Sequence, residues 1–136
     1  MAETTADVAA IGGLPVLVVE DETFVALELE QILSTAGCQI LGPVATVADA
    51  LELLEDDKPR AALLDVQLLN GMITPVAERL QALGIPFVLV SAYTGPELEK
   101  PVLAQAPRVD KPVSPHRLLA ALTDAVQARG PVGPLR

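Results

Sequence analysis

Pro15-Val16-Leu17-Val18-Val19-Glu20-Asp21-Glu22 is the stretch on which the reading of this chain turns. An unbroken apolar run, mostly β-branched, leads straight into three consecutive carboxylates. A strand that is apolar at every position suits a parallel sheet covered on both faces better than a half-exposed hairpin. Ala61–Leu64 repeats the pattern, and residues 39–41, Phe87–Ser91 and Arg108–Asp110 supply three more strand candidates. The stretches between them have helical period. Val25, Leu29, Ile32 and Ala36 fall on one face, with Gly37 at the usual helix-end position. Val47, Ala50, Leu51 and Leu54 form the next stripe, preceded by Thr46 with Asp49 three residues on, a capping-box spacing. Thr74-Pro75 opens a third helix lined by Val76, Leu80 and Leu83 and stopped by Gly84, and Ser114-Pro115 opens the last, lined by Leu118, Leu122 and Val126. The fourth connection, residues 95–107, holds Pro96, Pro101 and Pro107, and Pro101 would delete a hydrogen bond from the middle of any full helix there. Five β–α units with right-handed crossovers predict an α/β fold, an open, parallel, doubly wound sheet with an irregular fourth helix.

Composition narrows the class. The chain has 136 residues, 51% of them apolar, which is enough for one domain with one core. Nine basic against eighteen acidic residues leave a formal charge of −9, so no basic face is expected for nucleic acid or for an anionic membrane. Phe24, Phe87 and Tyr93 are too few for a base-stacking platform. A lone Cys38 fits a reducing compartment, and one Cys with one His makes zinc a poor candidate. The start carries Glu3 and Asp7 rather than the basic run of a signal peptide, and residues 14–19 are far too short to span a membrane. The expectation is a cytoplasmic domain over residues 14–128, with a flexible leader at 1–13 and a tail at 129–136.

In a doubly wound sheet, ligands bind beyond the carboxyl ends of the strands. Strand one runs into Glu20-Asp21-Glu22, strand three into Asp65, strand four ends on Ser91 and strand five leads into Lys111-Pro112. Several carboxylates, one hydroxyl and one ammonium therefore share a rim. At roughly 4 Å and an effective dielectric near 20, each like-charged pair repels by about 4 kcal/mol. Such a cluster persists only with a cation in it or with some members protonated. All-oxygen ligands in an incomplete cage suit Mg²⁺, with Lys111 offsetting the remaining charge. Glu22 reads as an ordinary acidic helix start with no site role, and Cys38 as a small buried side chain.

These four elements, Leu17 to Glu22, Leu63-Leu64-Asp65, Val90-Ser91-Ala92 and Asp110-Lys111-Pro112, resemble in order and strand placement the receiver domain of two-component response regulators. The resemblance covers residues 14–128 and implies a flavodoxin-like strand order of 2-1-3-4-5. It implies that Asp65 accepts a phosphoryl group from a phosphohistidine on a sensor kinase. Asp21 would ligate Mg²⁺ directly, Glu20 through water and Gln67 through its backbone carbonyl, while Ser91 and Lys111 would contact the phosphoryl oxygens. Residues 86–93 are also similar to the Pro-Phe-x-Phe-Ala-Thr-Gly-Tyr signature of a receiver subgroup often found as single-domain proteins. Pro86, Phe87 and Tyr93 match and Ser91 keeps the hydroxyl, whereas Leu89, Val90 and Ala92 depart from it. That subgroup often pairs with kinases of the HWE and related classes. Arg108 stands where receivers usually carry an aromatic switch residue, which leaves Tyr93 as the aromatic available for that role. The expectation is a single-domain phosphorylation switch, sink or relay acting on a downstream protein, not an enzyme with a substrate of its own. The competing readings are a docking module of the same fold that is never phosphorylated, and a phosphohydrolase. Glu20-Asp21-Glu22 lacks the Asp-x-Asp that haloacid-dehalogenase-like enzymes place after the first strand.

Overall fold

The computed structural model describes residues 10–129. The elements are β1 (Pro15–Val19), α1 (Thr23–Thr35), β2 (Gln39–Val44), α2 (Val47–Asp56), β3 (Ala61–Leu64), β4 (Gln67–Leu68), β5 (Gly71–Met72), α3 (Thr74–Leu83), β6 (Phe87–Ser91), a 3₁₀ turn (Pro96–Glu99), α4 (Pro101–Ala104), β7 (Arg108–Asp110) and α5 (Pro115–Arg129). Five strands form one parallel sheet in the order β2-β1-β3-β6-β7. In the numbering of the five β–α units this is the expected 2-1-3-4-5.

The continuous apolar runs are explained by covering on both sides. Successive side chains of a strand point to opposite faces. Leu17, Val19, Ala62, Leu64 and Leu89 therefore face α2, α3 and α4, where they meet Ala50, Leu54, Val76, Leu80 and Leu103. Val16, Val18, Leu63, Val88 and Val90 face α1 and α5, where they meet Leu29, Leu33, Leu118 and Leu122. Local signals end the helices where the sequence predicts. Thr46 Oγ1 accepts from Asp49 N–H at 3.0 Å, and Gly84 closes α3 in the left-handed region at φ 75°. The prolines of the fourth connection leave only a 3₁₀ turn and a single turn of α4.

Three features depart from the sequence reading. The leader of residues 1–13 is too long: Ile11 is fully buried in the core under α1, and Gly13 N–H donates to Gly37 O at 2.8 Å. Residues 1–9 lie outside the described residues, as does most of the proposed tail, from residue 130 onwards. Strand two continues past residue 41 through Gly42 and Pro43, with a register shift between the Leu17 and Val19 pairings. Gly42 sits at φ 97°, and a Cβ there would lie 2.8 Å from Val44 N, so no other residue fits the crossing. The hairpin β4–β5, pairing Gln67 with Met72, was not foreseen. Two-residue strands carry no readable periodicity.

Ile11→Ala is expected to cost about 2–5 kcal/mol, as for other fully buried aliphatic truncations. Leu69→Ala, at a side chain 94% exposed, is expected to stay within about 0.5 kcal/mol of the parent. Urea unfolding of the two variants measures both, and a neutral Ile11→Ala would return residues 10–13 to the leader.

Candidate functional site

The sheet brings Glu20, Asp21, Asp65 and Lys111 together at the carboxyl end of its strands. β1 and β3 pair in register through Val19 and Leu64, which sets the residues that follow them side by side. Asp65 N–H then donates to Val19 O at 3.0 Å. One carboxylate oxygen from each of Glu20, Asp21 and Asp65 lies within 4.8 Å of the others. Glu20 and Asp65 are buried, and Asp21 is half-buried. From the far side Lys111 extends its ammonium to Asp65 Oδ2 at 3.0 Å, to Glu20 Oε1 at 3.0 Å and to the exposed Glu22 Oε1 at 3.4 Å.

Burial and charge act against one another on the titration of Glu20 and of Lys111. Burial pushes the Glu20 carboxyl up to about 7, against the opposing pull of the Glu22 N–H bond and of Lys111. Burial alone would lower Lys111, but its hydrogen bonds to Asp65 and Glu20, with their charges, outweigh it and push the ammonium up to about 12. Lysine is thus charged at any neutral pH, while the carboxylates outnumber it. A site made only of carboxylate oxygens, short of positive charge and open to a cleft, fits a hard divalent cation held through oxygen. That cleft, of about 320 Å³, is lined by Asp21, Glu22, Asp65, Gln67, Leu68 and Leu69. Two larger clefts, of about 590 and 500 Å³, lie at the opposite end of the sheet around Gly84–Pro86. They hold no such cluster.

Ser91 is buried at the end of β6, paired with Asp110 across the ladder, and its carbonyl accepts from Lys111 N–H at 3.3 Å. Arg108 reaches the same carbonyl through Nη2 at 3.1 Å and binds Asp110 through Nε at 2.6 Å. The residue standing in the usual aromatic position therefore braces the Ser91 backbone. Tyr93 is half-buried, two residues beyond. Three contributors were missed in the sequence. Glu22 joins the Lys111 cluster, and its N–H donates to Glu20 Oε2 at 3.0 Å. Leu69 N–H, 48 residues away in sequence, holds Asp21 Oδ2. Thr74 donates its hydroxyl proton to Glu97. Only the acidic triplet offered any sequence signal, and it read equally well as a helix start.

No protein-family model matches the chain. The Phyllosphere-induced regulator PhyR of Methylorubrum extorquens is 26% identical over 132 residues, covering 91% of this chain and 48% of that protein. The chain spans about half the length of the curated relatives it matches. A solved anti-anti-sigma factor PhyR from Bartonella quintana has a TM-score of 0.77 and 27% identity, covering 95% of this chain and 54% of that one. A response regulator receiver domain protein (CheY-like) from Methanospirillum hungatei is matched over its whole length and 88% of this chain, at a TM-score of 0.75 and 26% identity. Sequence relatives and solved structures together support a response-regulator receiver domain. The carboxylates Glu20, Asp21 and Asp65 lie together at the ends of β1 and β3, the edge on which the sequence places them.

Lys111→Met leaves Glu20 and Asp65 without their cation, and losing one partner of a buried pair costs about 3–5 kcal/mol. Glu20 titrates above its unfolded value, so its protonated form is the stable one: its contribution is present at low pH and is lost as pH rises from 4.5 through about 7. The penalty of Lys111→Met is therefore expected to be larger at pH 8 than at pH 5. Urea midpoints of both proteins in chelator at the two pH values check this, and a pH-independent penalty would contradict it.

Proposed function

We propose that this receiver is a phosphorylation switch whose acceptor is Asp65. The observation that supports it most directly is the placement of the Asp65 carboxylate, buried at the end of β3, with one oxygen on Lys111 and the group within reach of Glu20 and Asp21. In this reading an oxygen of Asp65 attacks the phosphorus of a phosphohistidine on a sensor kinase. The O–P bond forms as the P–N bond breaks, and the electron pair leaves on the imidazole nitrogen. Asp65 and Lys111 supply position and charge rather than covalent chemistry beyond that bond. Asp21 directly, Glu20 through water and Gln67 through its carbonyl would hold Mg²⁺, which neutralises charge on the phosphoryl oxygens when bound. Lys111, already 3.0 Å from Asp65 Oδ2, is placed to pair with a phosphoryl oxygen added there. Ser91 presents the hydroxyl that would donate to another.

Two hydrogen bonds to a charged phosphoryl, at about 1.5–3 kcal/mol each, approach the roughly 5.5 kcal/mol that moves a two-state equilibrium from 1:99 to 99:1. The readout is a protein surface, as the anti-anti-sigma role of the Bartonella relative supports. The upstream partner is a sensor histidine kinase, of the HWE type if the signature-like segment 86–93 marks its subgroup. The protein works in the cytoplasm as a signalling receiver and not as a turnover enzyme. Among the described residues no helix is long and apolar enough to cross a membrane.

Acetyl phosphate with Mg²⁺ is expected to add one phosphoryl group, read by intact mass, and Asp65→Asn to take none. Mg²⁺ alone at a hundredfold excess over its dissociation constant should stabilise the parent by about 2.7 kcal/mol in thermal unfolding, and Asp21→Asn should lose most of that shift. Phosphorylation that survives Asp65→Asn would overturn the assignment.

A further inference from the structure

A run of hydrogen bonds leads from Ser91 away from the carboxylate rim to a different helix. Ser91 Oγ accepts from Tyr93 N–H at 3.1 Å. The Tyr93 hydroxyl oxygen accepts from Glu97 N–H at 3.2 Å. The Glu97 carboxylate in turn accepts the hydroxyl proton of Thr74, the first residue of α3, and pairs with Lys100 Nζ at 3.1 Å. Thr74 and Ser91 are both buried, so these bonds are shielded where a lost partner is costly. The bond from Thr74 and the charge of Lys100 hold the Glu97 carboxyl below its usual range, which keeps it an acceptor.

Gly95 shows that the arrangement is built in. Its φ of −85° is open to any residue, so its backbone does not require glycine. A Cβ there would lie 2.3 Å from Tyr93 Oη and 2.5 Å from Cζ. The missing side chain is what lets the tyrosine ring fold onto the turn and reach Glu97. A serine hydroxyl has two acceptor lone pairs and one proton. With Tyr93 N–H on one lone pair, the Ser91 proton is kept for another acceptor.

We propose that Thr74 and Glu97 are positioning residues for Ser91, acting through Tyr93 to hold its hydroxyl ready to donate to a phosphoryl group on Asp65. The inference rests on the phosphoacceptor reading above. Neither residue touches the reacting atoms. Thr74 anchors Glu97, Glu97 holds the tyrosine hydroxyl, and the tyrosine backbone orients the serine. The coupling also ties the 3₁₀ turn to α3, so a change at Ser91 reaches the turn and the start of α3 together.

The test is calorimetric titration of the full chain, first with Mg²⁺ alone and then with beryllofluoride at saturating Mg²⁺. Thr74→Val is expected to weaken beryllofluoride binding about fivefold to tenfold, the worth of one hydrogen bond, with Mg²⁺ affinity unchanged. Thr74→Ser should restore it. In a Ser91→Ala background Thr74→Val should have no further effect, a non-additivity that a purely structural tie would not produce. Gly95→Ala is the second variant. It meets only the far end of the tyrosine ring, which can swing aside without loss of the fold, and it should reproduce the effect. Wild-type affinity in both variants, or equal weakening with and without Ser91, would overturn the inference. Failure of the wild type to take beryllofluoride would instead defeat the phosphoacceptor reading, and the inference with it.

Discussion

One ammonium group faces three carboxylates at the end of this sheet, and the rest of the structure is arranged around that imbalance. Lys111 pairs with Glu20, Asp65 and Glu22 at once. Removing its charge would leave buried carboxylates with no compensation, and removing the carboxylates would leave a buried cation. The balance is incomplete: burial holds the Glu20 carboxyl up at about 7 despite the opposing pull of Lys111. A domain built for stability alone would avoid such a cluster. Under the proposed function, the deficit of positive charge would attract a cation, and a phosphoryl group arriving at Asp65 would change the balance again.

The parallel sheet makes this concentration possible. Because its strands run in one direction, each delivers its following residue to the same edge. The in-register pairing of β1 with β3 converts residues 45 positions apart into neighbours. The two apolar layers on either side hold these strand ends against the mutual repulsion of what they carry. The small hairpin β4–β5 then returns the chain over the rim and brings Leu69 N–H onto Asp21. Arg108 and Tyr93 brace Ser91 from its carbonyl and its hydroxyl respectively. The rim is thus supported by backbone and side-chain bonds, including one from β2, whose Val44 carbonyl accepts the Glu20 N–H at 2.9 Å.

Much of this was legible because parallel strands buried on both faces must be apolar throughout, and few other arrangements produce that pattern. Val16 to Val19 and Ala61 to Leu64 announce themselves, as do Thr46, Gly84 and the proline-broken fourth connection. The carboxylates Glu20, Asp21 and Asp65 and the cation Lys111 were readable for the same reason: each follows directly from a strand whose end is marked. What escaped has no local signature. Ile11 stands in a short run of small apolar residues that ends in Gly12-Gly13, and only its packing against Leu29, Ile32 and Leu33 shows that it is needed there. Gly42-Pro43 looks like a strand's end, yet the strand passes through it because neighbouring backbone leaves room for nothing larger than glycine. Glu22 has the same chemistry whether it starts a helix or meets a lysine.

The sequence by itself therefore determined the architecture, the rim and the chemical types gathered on it, since hydrophobic pattern and strand order act through short-range rules. Only the tertiary structure decided which atoms meet. Lys111 choosing Glu20, Asp65 and Glu22, Leu69 N–H finding Asp21, and Thr74 reaching Glu97 all join residues brought close by packing, not by spacing along the chain. Hydrogen bonds and ion pairs depend on distances of a few tenths of an ångström. Those are set by how helices settle onto the sheet, which no one segment of the chain encodes.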